Sequence, residues 1–128
     1  MFDIRIDRAR LLVDVRLAGF LTPDSATKVI QALRDAVRSL GSDTGRHLTL
    51  YDATALKVAP GITVEQVAGA FADPAIRSLW ARRVAYCTPS ALVRMQIGRL
   101  RAARADIGVF ATRAEALAWL FAASDARD

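Results

Sequence analysis

Residues 47–67, HLTLYDATALKVAPGITVEQV, run from a largely apolar stretch through an acid to the start of a helix. Leu48–Tyr51 reads as a strand that is apolar on both sides, which suits a central place in a sheet covered on both faces. Asp52 stands at its mouth. Thr63 opens the helix, and Gln66 three residues later completes a capping box, in which each side chain satisfies a free backbone N–H. A two-sided strand, a loop and a helix in this order commit the chain to an α/β fold. In such folds the loop at the carboxyl end of a strand commonly carries the function. This loop contains no general base, no nucleophile with a partner and no metal cluster.

The flanking sequence fits the same plan. Phe2, Ile4 and Ile6 alternate with Asp3, Arg5 and Asp7, and after the polar turn Arg8–Arg10 so do Val13, Val15 and Leu17 with Asp14 and Arg16. Period two on both sides of a short turn predicts an opening β-hairpin. Thr22-Pro23-Asp24 starts a helix: an N-cap, a proline suited to the first turn and an acid at the positive end. Ala26, Val29, Ile30, Leu33, Val37 and Leu40 keep helical spacing, and Gly41 is a natural stop.

After Thr63, the stripe Val64, Val67, Ala68 and Phe71 is interrupted at Asp73-Pro74, and a shorter helical segment, Ala75–Trp80, follows. Arg83–Cys87 predicts a fourth strand. Thr88-Pro89-Ser90 starts another helix, with Leu92, Val93, Ile97 and Leu100 expected to face inward. Ile107–Phe110 is a short last strand. Thr112 and Glu115 form a second capping box, opening a helix over Arg113–Ala123, and the polar tail 124–128 is expected to fray. The expectation is one domain over residues 1–128. It is built on a mixed sheet of about five strands that opens with a hairpin, with about four helices packed over it. At 128 residues the chain suits one core.

Charge narrows the function less than its total suggests. The net charge is +5, but seven arginines and no acid fall within residues 77–104, leaving 11 bases against 13 acids elsewhere. The basicity is therefore local. Its candidate members are Arg82, Arg83, Arg94 and Arg101, with Arg94 and Arg101 seven residues apart on one helical face. A patch of one sign steers association with an acidic protein or an anionic membrane surface. Nucleic acid is disfavoured, since no helix-turn-helix, RNP-type or zinc pattern appears and few aromatics interleave with the arginines. No apolar run approaches the roughly 20 residues of a membrane span, the N-terminus lacks a signal-peptide core, and the lone Cys87 forms no internal disulfide, all of which suit a cytoplasmic setting.

The element order, Asp52 at the end of the third strand and the closing run Val109-Phe110-Ala111-Thr112-Arg113-Ala114-Glu115-Ala116-Leu117-Ala118-Trp119-Leu120 resemble the SpoIIAA-like branch of the STAS domain family. Members of that branch end in a similar pattern of phenylalanine, acid, alanine and Trp-Leu. The resemblance implies a regulatory domain that is not an enzyme and needs no cofactor. It would bind another protein through the loop and helix after strand three. In classical members a serine of an Asp-Ser-Ser-Gly motif there is phosphorylated, and the added charge breaks the complex. Laid on that motif, Asp52 and Thr54 match the acid and serine just after the strand, and the switch falls on Pro60-Gly61-Ile62-Thr63, where no acceptor serine stands. The resemblance thus implies partner binding by Asp52, Thr54, Pro60, Gly61, Ile62 and Thr63 without the classical switch.

Most of these residues have a structural reading as well. Asp52 serves as an Asx-type cap for the amides of Thr54 or Ala55, and Thr63 as a helix cap. His47 lacks a ligand partner at metal spacing, and Cys87 reads as a small core residue. Phe71, Leu79, Trp80, Leu117, Trp119, Leu120 and Phe121 supply more large apolar surface than five short strands need, and Phe71, Leu79, Trp80 and Trp119 are the candidate lining. Their exposure would mark an apolar cleft for a lipid-like ligand, the alternative function. A second copy of the chain is a further open partner.

Overall fold

The computed structural model describes residues 2–20, 22–56, 81–98 and 107–125. The hairpin strands β1 (Phe2–Asp7) and β2 (Leu12–Gly19) form as the alternation requires. Asp7 closes the turn by accepting from the Arg10 amide at 3.2 Å and from its Nε at 2.8 Å. Leu11 takes a left-handed φ of 51° there. Its carbonyl accepts the Leu48 amide at 2.8 Å, tying the turn to the start of the third strand.

Helix α1 (Pro23–Arg38) begins at the Thr22 cap, whose partner is Ser25 rather than an acid: the Ser25 amide donates to Thr22 Oγ1 at 3.1 Å and the Thr22 amide to Ser25 Oγ at 2.8 Å. The helix ends at Arg38, three residues before the expected stop, and Gly41, with φ of 60°, leads a 3-10 turn (Gly41–Asp43) instead.

Strand β3 (Leu48–Leu56) follows, then β4 (Arg83–Cys87), helix α2 (Ala91–Gly98), strand β5 (Gly108–Phe110) and helix α3 (Arg113–Asp125). Spatial order is β1-β2-β3-β4-β5; the hairpin is antiparallel and every other pair parallel. The mixed five-strand α/β sheet is the expected one. Three α-helices lie among the described residues, and the helix expected from Thr63 falls outside them. None of the helices described is long and apolar enough to cross a membrane.

Each sheet face has its own core. One gathers Val13, Val15, Leu17, Tyr51, Val84 and Tyr86 under Val29 and Leu33 of α1. Tyr51 and Tyr86, opposite each other in register, stack at 4.5 Å. The other gathers Leu12, Leu48, Leu50, Ala85 and Cys87 under Ala116 and Leu120 of α3. Two faces covered by helices explain why Leu48–Tyr51 is buried throughout, Thr49 included.

Three expectations need correction. Strand three does not end at Tyr51: it continues to Leu56, so Asp52 and Thr54 are strand residues, with Asp52 paired to β2 and β4 and the pairing with β2 resuming at Ala55. Leu92 does not face inward. It is 49% exposed, beside Met95 at 64%, because helical spacing defines a stripe but not which stripe meets the sheet. The last helix continues to Asp125, two residues into the tail expected to fray.

Candidate functional site

The chemistry of the described residues concentrates on the α3 face of the sheet, at the carboxyl ends of β3 and β4. Strand alternation aims Leu12, Asp14 and Arg16 of β2, and Leu48, Leu50 and Asp52 of β3, at that face. Arg113, the first residue of α3, reaches down between the strands. Its Nη1 donates to Asp14 Oδ1 at 3.1 Å and its Nη2 to Asp14 Oδ2 at 2.5 Å, a bidentate pair. Nη1 also donates to Asp52 Oδ2 at 3.1 Å. The two carboxyl side chains are 12% and 13% exposed and the arginine 30%, so solvent screens the network only in part. Arg16 adds a longer contact to Asp14, 3.7 Å.

Asp52 spends its other oxygen locally. Oδ1 accepts from the Thr54 amide at 3.0 Å and from its hydroxyl at 2.5 Å, the Asx-type cap expected from the sequence. Burial alone would push the Asp52 carboxyl up; the Thr54 hydroxyl and amide, and then Arg113, outweigh it and hold it below the ordinary aspartate value. Arg113 is held well above its own ordinary value, chiefly by Asp14. Cys87 lies opposite Asp52 in register. Burial, reinforced by the Asp52 carboxylate, pushes its thiol up to about 11, so it is a poor nucleophile at neutral pH.

This network makes stability depend on pH. Because Asp52 is lower in the folded than in the unfolded state, its contribution is complete above the unfolded value and is lost as pH falls through the folded one. The Tm should therefore drop as acid is added below about pH 4. Arg113→Gln should make that acid-induced drop smaller. Asp7, lowered by Arg10 at the exposed turn, acts alike in both proteins and cancels in the comparison. Parallel pH profiles of Tm would show that Arg113 does not hold Asp52.

Of the residues singled out in the sequence, Asp52 and Thr54 are brought together. Pro60, Gly61, Ile62, Thr63, Phe71, Leu79, Trp80 and Arg101 lie outside the described residues. Trp119 is half-buried, tilted against Phe110 at a ring separation of 5.5 Å, with the Arg83 guanidinium 4.5 Å over its ring. Arg83 begins β4, whereas Arg94 Nη1 donates at 2.9 Å to the carbonyl of Thr88, just past its end. The backbones of Arg83 and Thr88 are roughly 17 Å apart along the strand. Arg82 is half-buried, its amide donating at 2.8 Å to the His47 carbonyl. His47 is fully buried just before β3 and accepts the Gly45 amide at Nδ1, 3.1 Å. Among the described residues no group of three or more His, Cys, Asp or Glu is placed to hold a metal.

The sequence did not mark Asp14 or Arg113 as site residues. Asp14 sits in an alternating strand whose polar side reads as wet; β3 and α3 bury it. Arg113 lies inside a capping box whose Thr112 does accept the Glu115 amide at 3.2 Å. A signal for it existed, because a cation at a helix N-terminus opposes the helix dipole and needs an acid nearby.

No family model matches the sequence, and no curated protein matches it either. Solved structures that resemble the fold include two proteins matched over nearly the whole chain. One is the anti-sigma factor antagonist SpoIIAA in its unphosphorylated form, with a TM-score of 0.65 and 21% identity over 95% of this chain and 97% of that one. The other is an uncharacterized protein of the DUF3478 family from Shewanella loihica PV-4, with a TM-score of 0.63 and 18% identity over 93% of each chain. At these identities the likeness is one of architecture: the chain has a SpoIIAA-like fold.

Proposed function

We propose that the chain is a STAS-type regulatory domain that acts by binding a partner protein rather than by catalysis. The contact surface is the segment after β3, residues Pro60, Gly61, Ile62 and Thr63, and no phosphoserine switch operates there. Asp52 and Thr54 shape the strand end behind it. The observation that carries this reading is how the polar groups at the carboxyl ends of the strands are spent. Both carboxylates are taken up by Arg113 and Thr54, and the thiol is raised and buried. That arrangement braces a strand end and leaves no poised acid, base or nucleophile there among the described residues. The similarity to an anti-sigma factor antagonist supports a protein as the partner, by analogy of fold.

The test starts with capture of a partner from the native host, its identification, and titration of the two purified proteins. Ile62→Asp places a charge where an apolar contact is expected and should weaken binding by about thirtyfold or more, the scale of a lost hot spot. Arg46→Ala, at the opposite end of β3, should leave affinity within about twofold, as rim charges do. Equal affinity of Ile62→Asp and the parent chain would rule out this surface.

A further inference from the structure

We infer that Arg113 is a positioning residue: by holding Asp52 it maintains a β-bulge in β3 and so fixes the course of Thr54, Ala55 and Leu56 at the strand end. Its functional meaning rests on the partner-binding role proposed for residues 60–63. Its geometric basis is separate.

The register shows the bulge. Arg16 lies opposite Asp52, but Ala18 lies opposite Ala55, so β3 carries one residue more than β2 over this span. Ala53 and Thr54 together face Leu17. A bulge bends its strand and re-aims the chain beyond it. Pairing with β4 ends at Asp52 opposite Cys87, so beyond it β3 has only β2 as sheet partner among the described residues. A strand end with one neighbour is a region of low local stability unless something holds it.

Asp52 is what holds it. One carboxylate oxygen takes the amide of Thr54, inside the bulge, and the other takes Arg113. Arg113 is in turn fixed on Asp14 of β2 by both ends of its fork. It therefore clamps the two strands on the side where β3 departs from register. Helix α3 has no need of it, because Thr112 already caps the helix and the dipole disfavours a cation there. Lysine has no planar fork and would hold one carboxylate better than two.

Amide hydrogen exchange on Arg113→Gln and Arg113→Lys distinguishes positioning from general stabilisation. In Arg113→Gln the amides of Thr54, Ala55 and Leu56 should exchange at least about tenfold faster, the scale of a lost charge-assisted hydrogen bond. Protection of Val15, Tyr51 and Tyr86 should change by less than about threefold, as for a sub-global opening. Arg113→Lys should fall between the parent and Arg113→Gln. Uniform acceleration at all six amides would reduce Arg113 to a general stabiliser and overturn the inference, as would unchanged exchange at residues 54–56. If Arg113→Gln does not fold, the same comparison in Arg113→Lys decides. None of these readings uses the partner, so they stand or fall independently of the Ile62→Asp titration.

Discussion

Leu50→Ala is expected to cost about 2–5 kcal/mol, the range for truncating a fully buried leucine. Leu50 has no exposed surface and sits in the central strand, flanked in register by Asp14 and Ala85 and covered by α3. Ala85 is too small to fill the space, and Asp14 is fixed by Arg113, so the site cannot collapse readily and the cost should lie toward the upper half. For a chain of this size each kcal/mol lowers Tm by roughly 3–6 °C, so a fall of about 10 °C or more is expected in thermal unfolding. Leu92→Ala removes the same atoms from a half-exposed position on α2 and should stay within about 0.5 kcal/mol. Comparable losses for the two leucines would mean that Leu92 is covered or that α3 does not close over Leu50.

The contrast between those leucines shows what the sequence could convey. Helical spacing joined Leu92 to Val93, Ile97 and Leu100, yet which stripe of a helix meets the sheet depends on where the sheet lies. Period two in the hairpin and the caps at Thr22 and Thr112 are local signals, so β1, β2 and the starts of α1 and α3 were legible. The end of β3 was not. Asp52-Ala53-Thr54 looks like a loop locally; Asp52 is held in the sheet by β2 and β4, and beyond it pairing with β2 across a bulge continues the strand. The Asp52–Thr54 cap was legible because it spans two residues. Its partner Arg113 is 61 residues away, and Asp14 lies 99 residues from Arg113, so no local pattern joins them. The arginines of residues 77–104 cluster in sequence, but Arg83 starts β4 and Arg94 contacts the Thr88 carbonyl just past its end, so closeness in sequence does not by itself place their charges together.

Gly108→Val should destabilise by about 1–3 kcal/mol, with Gly108→Ala somewhat less, as overpacked sites do. The reason is space. A Cβ on Gly108 would lie 2.7 Å from Phe110 Cε2, 2.9 Å from Trp119 Cζ3 and 3.1 Å from Trp119 Cε3. One opposing term exists, since replacing glycine by alanine gains about 0.4–1 kcal/mol from the unfolded chain where the native conformation allows it. The clash should win, because both offending groups are rigid rings in contact with each other and Arg83 covers the Trp119 ring. Relief requires the indole to slide off Phe110 and give up the cation–π contact. Denaturant unfolding of Gly108→Ala measures the balance. A net gain in stability would mean that Trp119 swings aside at little cost. It would then be a movable wall, and an apolar cleft beside it would become a structural option. A net loss fixes Trp119 as the cover of β5, with Arg83 spent on holding it there rather than on an outside anion.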